Sequence, residues 1–219
     1  MINWIEKIKT IPRWRKYSQS DEECYIEYIL SNIPKKGKQI VELGAWDGYH
    51  LSNTRYFIEN GYKALLIDGD NRGNEEVVQS FITRDNIVEL LKPIDSKSFD
   101  LLCIDLDGND LYILEVILNN GYKPSLVVAE FNPIFEEHES KTIRYNADHA
   151  WDNDDYYGFS FAAGQKMANK YGYICIHQND NLNMYFVRED LIGELDIPKV
   201  IYEKTNYHPK SQNTDWIEY

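Results

Sequence analysis

The stretch "FDLLCIDLDGND" (Phe99–Asp110) decides how the rest of the chain is read. It opens as a continuous apolar run and ends in Asp105, Asp107, Asn109 and Asp110. A short apolar run bounded by charge reads as a buried strand that stops where the charge begins. Asp105, Asp107 and Asn109 have the alternate spacing of an EF-hand calcium loop. However, Asp110 occupies the position of the turn glycine, and Val116 that of the closing glutamate. No helix leads into the stretch either. The acids therefore belong to a strand end.

The same pattern recurs on both sides. "KQIVEL" (38–43), "KALLID" (63–68) and "PSLVVAE" (124–130) read as strands. Four stretches read as helices: "SDEECYIEYILSNI" (20–33), "GYHLSNTRYFIENG" (48–61), "LYILEVILNNG" (111–121) and "SFAAGQKMANKYG" (160–172). Ser20 and Glu23 have capping-box spacing. "NEEVVQSFI" (74–82) is expected to be a helix as well. "YICIHQ" (173–178) and "NMYFVRE" (183–189) flank "NDNL" and predict a hairpin. Residues 131–157 show no periodicity and are expected to form a functional or mobile loop. The tail after Leu191 is polar and weakly patterned. Alternation of apolar strands with helices predicts an α/β fold: a doubly wound, mostly parallel sheet with a C-terminal antiparallel hairpin. The expected division is a helical segment over 1–37 packed on the domain, a domain over 38–191 and a tail over 192–219.

Composition narrows the function classes. The 219 residues suit one domain, and 43% hydrophobic content with 17 tyrosines can pack a core. A formal charge of −13 argues against nucleic acid and anionic membrane as partners. Cys24, Cys103 and Cys175 lie far apart and form no CxxC, so they read as buried thiols in a reducing compartment. The opening "MINWIEKIKTIPRWRKY" has no apolar targeting core, and no 18-residue apolar run occurs. The expectation is a cytoplasmic protein without integral membrane association. A homodimer stays open as an assembly.

In open parallel sheets, ligands bind beyond the carboxyl ends of the strands. "VELGAWDGYH" follows the first strand, with Gly44 and Gly48 in a turn where backbone N–H groups can approach a ligand. The spacing is GxxxG, neither a dinucleotide fingerprint nor a P-loop. Glu42 and Asp47 suit a cationic ligand. Asp68 lies 24 residues after Gly44, near the spacing at which a carboxylate grips ribose hydroxyls. Asp105 and Asp107 are two apart at one strand end, as are Glu130 and Asn132 at the next. Adjacent parallel strands would bring these pairs together, and a hard divalent cation such as Mg²⁺ or Mn²⁺ would relieve their repulsion.

"VELGAWDGYHLSNT", "LLIDGD" and "FDLLCIDLDGND" resemble class I S-adenosylmethionine-dependent methyltransferases, which have a Rossmann-like fold. "YGFSFAAGQKMANKYGY" and "NLNMYFVREDL" extend the similarity to the FkbM-like group, over roughly 38–191. The resemblance implies S-adenosylmethionine held around Glu42, Gly44, Ala45, Asp47, Gly48, Asp68 and Asp105. It departs at Trp46-Asp47, which replace the third motif glycine. The acidic strand ends resemble in kind the metal-dependent sugar O-methyltransferases of the macrocin type. That implies a metal on Asp105, Asp107, Glu130 and Asn132, orienting a hydroxyl of a sugar, glycan precursor or small polar metabolite. His138 and His149 in the 131–157 loop are the candidate general bases, with Asp105 a further catalytic candidate, and the loop's aromatics suit sugar rings. Two other classes stay open: a metal-dependent hydrolase on the same scaffold, and a non-catalytic S-adenosylmethionine-binding protein.

Overall fold

A computed structural model of the chain describes residues 3–219. The elements run α1 (Trp4–Lys7), α2 (Glu22–Asn32), β1 (Gln39–Leu43), α3 (Arg55–Glu59), β2 (Lys63–Asp68), β3 (Val77–Gln79), α4 (Ile87–Leu90) and β4 (Leu101–Ile104). Then follow α5 (Asp110–Asn119), β5 (Leu126–Glu130), β6 (Lys141–Ile143), α6 (Phe161–Lys170), β7 (Tyr173–Asn179), β8 (Asn183–Arg188) and β9 (Trp216–Glu218). The main sheet has the order β3-β2-β1-β4-β5-β8-β7. Its first five strands are parallel, and β8 enters antiparallel between β5 and β7. This is the expected doubly wound α/β sheet with a C-terminal antiparallel hairpin.

The strands alternate because both faces are covered. On β4, Leu102 and Ile104 join the core beneath α5 and α6, while Leu101 and Cys103 join the core beneath α2 and the N-terminal segment. Strand order reverses between β1 and β4, so their carboxyl ends diverge and leave a crevice there. Every acidic strand end read from the sequence opens near that crevice.

Several local expectations are corrected. Residues 74–82 are not a helix: Val77–Gln79 form a parallel edge strand against Leu66, Ile67 and Asp68. A short isolated helix is marginal, and the β-branched pair Val77-Val78 fits a sheet edge better. Only Arg55–Glu59 of 48–61 is helical, because Ser52, Asn53 and Thr54 bond Glu42 instead of continuing a helix. The Ser20/Glu23 capping box does not form. Glu23 accepts the N–H groups of Lys16 and Tyr17, and Ser20 N–H goes to Glu22.

The 131–157 segment contains β6, whose partner is β9 from the tail. The tail returns over the domain: Trp216 packs edge-on against Phe135 and Tyr156, and the Tyr219 hydroxyl donates to Glu115 at 2.6 Å. At the other end, Ile5 and Ile8 are buried against the core. Among the described residues, no helix is long and apolar enough to cross a membrane.

Candidate functional site

The crevice forms where β1 and β4 pass in contact. Gly44 leaves β1 at φ +84°, and a Cβ there would stand 1.6 Å from the Asp105 carbonyl oxygen. Only glycine allows the two strand ends to approach this closely. Trp46 follows at φ +45°, in left-handed backbone that bulky side chains rarely adopt. Its N–H donates to Asp68 Oδ2 at 2.7 Å. A cleft of about 660 Å³ opens above, with Gly44, Ala45, Asp68, Asp105, Asp107 and Glu130 in its walls. A recess of about 210 Å³ continues from it past Gly44 and Asp68 to Phe81 and Ile82.

Asp105, Asp107 and Glu130 meet on the cleft floor. One carboxylate oxygen from each lies within 4.8 Å of the others. Burial pushes the Asp105 carboxyl well above its ordinary range, and Asp107 and Asp110 push it further. Glu130 is also pushed well up, by burial and then by Asp105 and Asp107. Asp107, the most open of the three, is pushed up to about 6 by burial, then by Asp110 and Asp68. Glu130 Oε2 is shielded from solvent and has no hydrogen-bond partner among the described residues. A buried acceptor without a donor is costly, and an array of three hard oxygens answers to a proton or a divalent cation. The donor set therefore fits Mg²⁺ or Mn²⁺ at Asp105, Asp107 and Glu130.

Asn132 does not join them. It is fully buried; its Nδ2 donates to the carbonyls of Asp155 and Tyr157, and its Oδ1 accepts the Ile134 N–H. It anchors the loop from β5, because the sequence turns away from the cleft after Glu130. Glu42 also faces inward. It accepts Ser52 Oγ at 2.8 Å, Asn53 N–H at 2.7 Å and Thr54 Oγ1 at 2.6 Å, bracing the segment before α3. Asp47 accepts the N–H groups of Tyr49 and His50 and pairs with the His50 ring, closing its own turn. Gly48 packs against Val77 and Leu66 rather than lining the cleft. Of the expected cofactor set, Gly44, Ala45, Asp68 and Asp105 line the cleft. Asp68 accepts the N–H groups of Trp46 and Asp70, and still faces both recesses.

The two histidines of the loop separate. His138 is exposed near Glu136 and lines neither the cleft nor the recess. His149 lies over the β4–α5 turn, with Nε2 3.2 Å from the Asp107 carbonyl. A Cβ at Gly108 would stand 2.2 Å from its ring, so glycine makes room for it. Asn109 holds this part of the loop by donating to the Asn146 carbonyl at 2.7 Å. Asp110 accepts Leu106 and Gly108 N–H and so closes the turn itself.

His208 and Leu182 are among the cleft residues that escaped the sequence reading. His208 arrives from the tail and packs edge-on against Trp151 and Tyr157. Asp155 fixes it there, through its N–H to the Pro209 carbonyl and its carboxylate to Ser211 N–H and Asn206. Leu182, in the β7–β8 turn, closes the far wall and accepts the Phe131 N–H. No local pattern in the tail announces a residue that acts at a loop so distant in sequence.

No protein-family model matches the chain, and no curated protein matches it.

Proposed function

We propose that the protein is an S-adenosylmethionine-dependent O-methyltransferase that uses a divalent cation to orient the hydroxyl of a sugar, glycan precursor or small polar metabolite. One observation carries this reading. The acidic cluster of Asp105, Asp107 and Glu130 shares a single cleft with the glycine turn at Gly44 and the acid at Asp68. Cofactor and acceptor sites would thus adjoin at Asp105.

Bound S-adenosylmethionine supplies an activated methyl group, and a bound cation supplies a Lewis acid that lowers the pKa of a coordinated hydroxyl. The chain's own contributions are binding and orientation. Gly44 lets the ends of β1 and β4 meet, so that Asp68 and Asp105 open into one cleft. Asp68 offers acceptors to ribose hydroxyls. Glu130 and Asp105 would hold the cation, with Asp107 completing the set. His208 stands at the cleft wall and His149 at the adjoining recess, the two places where a proton leaving the acceptor hydroxyl can be received, and Trp151 offers a flat face to a sugar ring. Positioning of this kind supplies a large share of the rate in methyl transfer.

Calorimetric titration with S-adenosylmethionine tests the cofactor half. The wild type should bind one equivalent, and Asp68→Ala should bind at least about tenfold more weakly, the loss of one or two hydrogen bonds to a charged group. Absence of binding by the wild type would remove the methyltransferase reading. If Mn²⁺ still bound, the metal-dependent hydrolase would become the better account.

A further inference from the structure

Residues 46–51 present three large side chains at the rim of the cleft: Trp46 is 39% exposed, Tyr49 44% and Leu51 55%. Two of them are held in left-handed backbone, Trp46 at φ +45° and Leu51 at φ +58°. Bulky residues adopt that conformation at a cost, and such strain gathers at binding sites. Packing does not offset it here, because neither side chain is buried. At Leu51 the backbone needs only a bridge to Ser18, which glycine would make with less strain. The leucine side chain therefore has a use outside the fold.

Beside these residues runs a groove of about 520 Å³, bounded by Tyr49, His50 and Leu51 on one side and Arg15, Lys16 and Tyr17 on the other. His50 and Leu51 also line the main cleft, so the groove continues from it. Although the chain carries a net −13, cations and rings interleave along this rim. The buried Arg55 guanidinium, paired with Glu76, lies 3.7 Å from the Tyr49 ring centroid beneath the rim, and that of Arg72 lies 5.4 Å from Trp46. Lys16 and Arg72 have carboxylate partners, Glu59 and Asp70. The Arg15 guanidinium donates to the Gln19 carbonyl at 2.9 Å and meets no carboxylate among the described residues.

We propose that this groove is a second binding site, for an apolar or aromatic group bearing a phosphate. Arg15 takes the phosphate, while Tyr17, Tyr49 and Leu51 take the apolar part. Identifying that group as the non-reacting arm of the acceptor rests on the methyltransferase reading; the groove's chemistry does not.

The test compares 1-naphthyl phosphate, 1-naphthol and inorganic phosphate, by calorimetry and tryptophan fluorescence on the full chain. Naphthyl phosphate should bind one to one, at least about tenfold tighter than either fragment. Arg15→Gln should erase the preference for the phosphate while leaving naphthol binding unchanged. Leu51→Gly should weaken naphthyl phosphate several-fold yet raise the melting temperature, because it relieves the left-handed strain. A merely structural leucine would not give these opposite signs. Equal binding of naphthol and its phosphate, or undiminished binding by both variants, would overturn the proposal. S-adenosylmethionine binding is measured on the same samples. Its absence with naphthyl phosphate retained would defeat the methyltransferase reading alone, and the converse would defeat the groove alone.

Discussion

Replacing Asp107 by asparagine removes one charge from the acidic cluster and almost nothing else. Asp107 sits at φ +51°, a conformation that asparagine tolerates well. Its carboxylate makes no hydrogen bond to another described residue that the change would break. Its pKa rises from the ordinary 3.8 to about 6, through burial and then through Asp110 and Asp68. A raised carboxyl pKa means that the folded chain holds this proton more tightly than the unfolded chain. The associated stability is fully present below about pH 4 and is lost as pH rises through about 6. Two pH units at about 1.4 kcal/mol each give about 3 kcal/mol. Solvent screening at this open position reduces that to about 1–2 kcal/mol.

In EDTA at pH 7.5, Asp107→Asn should therefore be more stable than wild type by about 1–2 kcal/mol, or about 3–6 °C in melting temperature. At pH 4 the difference should shrink to a few tenths. Saturating Mn²⁺ should reverse the order. The wild type gains about 2.7 kcal/mol at a hundredfold excess over Kd, and the variant, lacking one ligand, gains less. Thermal denaturation across pH 4–8, with EDTA and with Mn²⁺, reads all of this. A variant no more stable than wild type at pH 7.5 in EDTA, or a difference equal at both pH values, would refute the repulsion argument.

Three further changes probe the scaffold. Gly44→Ala puts a Cβ 1.6 Å from the Asp105 carbonyl, and denaturant titration should show a loss of at least about 4 kcal/mol or no folded protein. Glu42→Ala strands Ser52, Asn53 and Thr54 and should cost about 3 kcal/mol in the same assay. Gly108→Ala should expel the His149 ring, whose nearest atom would be 2.2 Å away. Its NMR contacts to the β4–α5 turn should disappear, with little loss of stability because Gly108 is not in left-handed backbone.

The sheet was legible because its central strands are buried on both faces, so "QIVEL", "LLCI" and "LVVAE" read as apolar runs with little ambiguity, and "KALLID" still shows its buried Leu66-Ile67 core. Shorter elements were not. Val77–Gln79 became a strand only because β2 offers an edge, which is tertiary information. β6 and β9 are three residues each and find one another from far apart in the chain. At the site, two-residue spacing correctly gathered Asp105 and Asp107 with Glu130. The same spacing misassigned Asn132, because it cannot register that the backbone turns away after β5. Glu42 and Asp47 carry the right charge in the right segment, yet their carboxylates satisfy nearby N–H and hydroxyl groups. His208 lay beyond local reading altogether, since the tail delivers it through Asp155.

Asp105, Asp107 and Glu130 are proposed to hold a cation beside S-adenosylmethionine in one cleft. A crystal grown with Mn²⁺ and S-adenosylhomocysteine, measured at a wavelength where manganese scatters anomalously, tests it most directly. One anomalous peak is expected within about 2.5 Å of an oxygen from each of the three carboxylates, with the ribose of the product against Asp68. An acidic cluster without a peak, or the nucleoside bound away from Gly44 and Asp68, would contradict it.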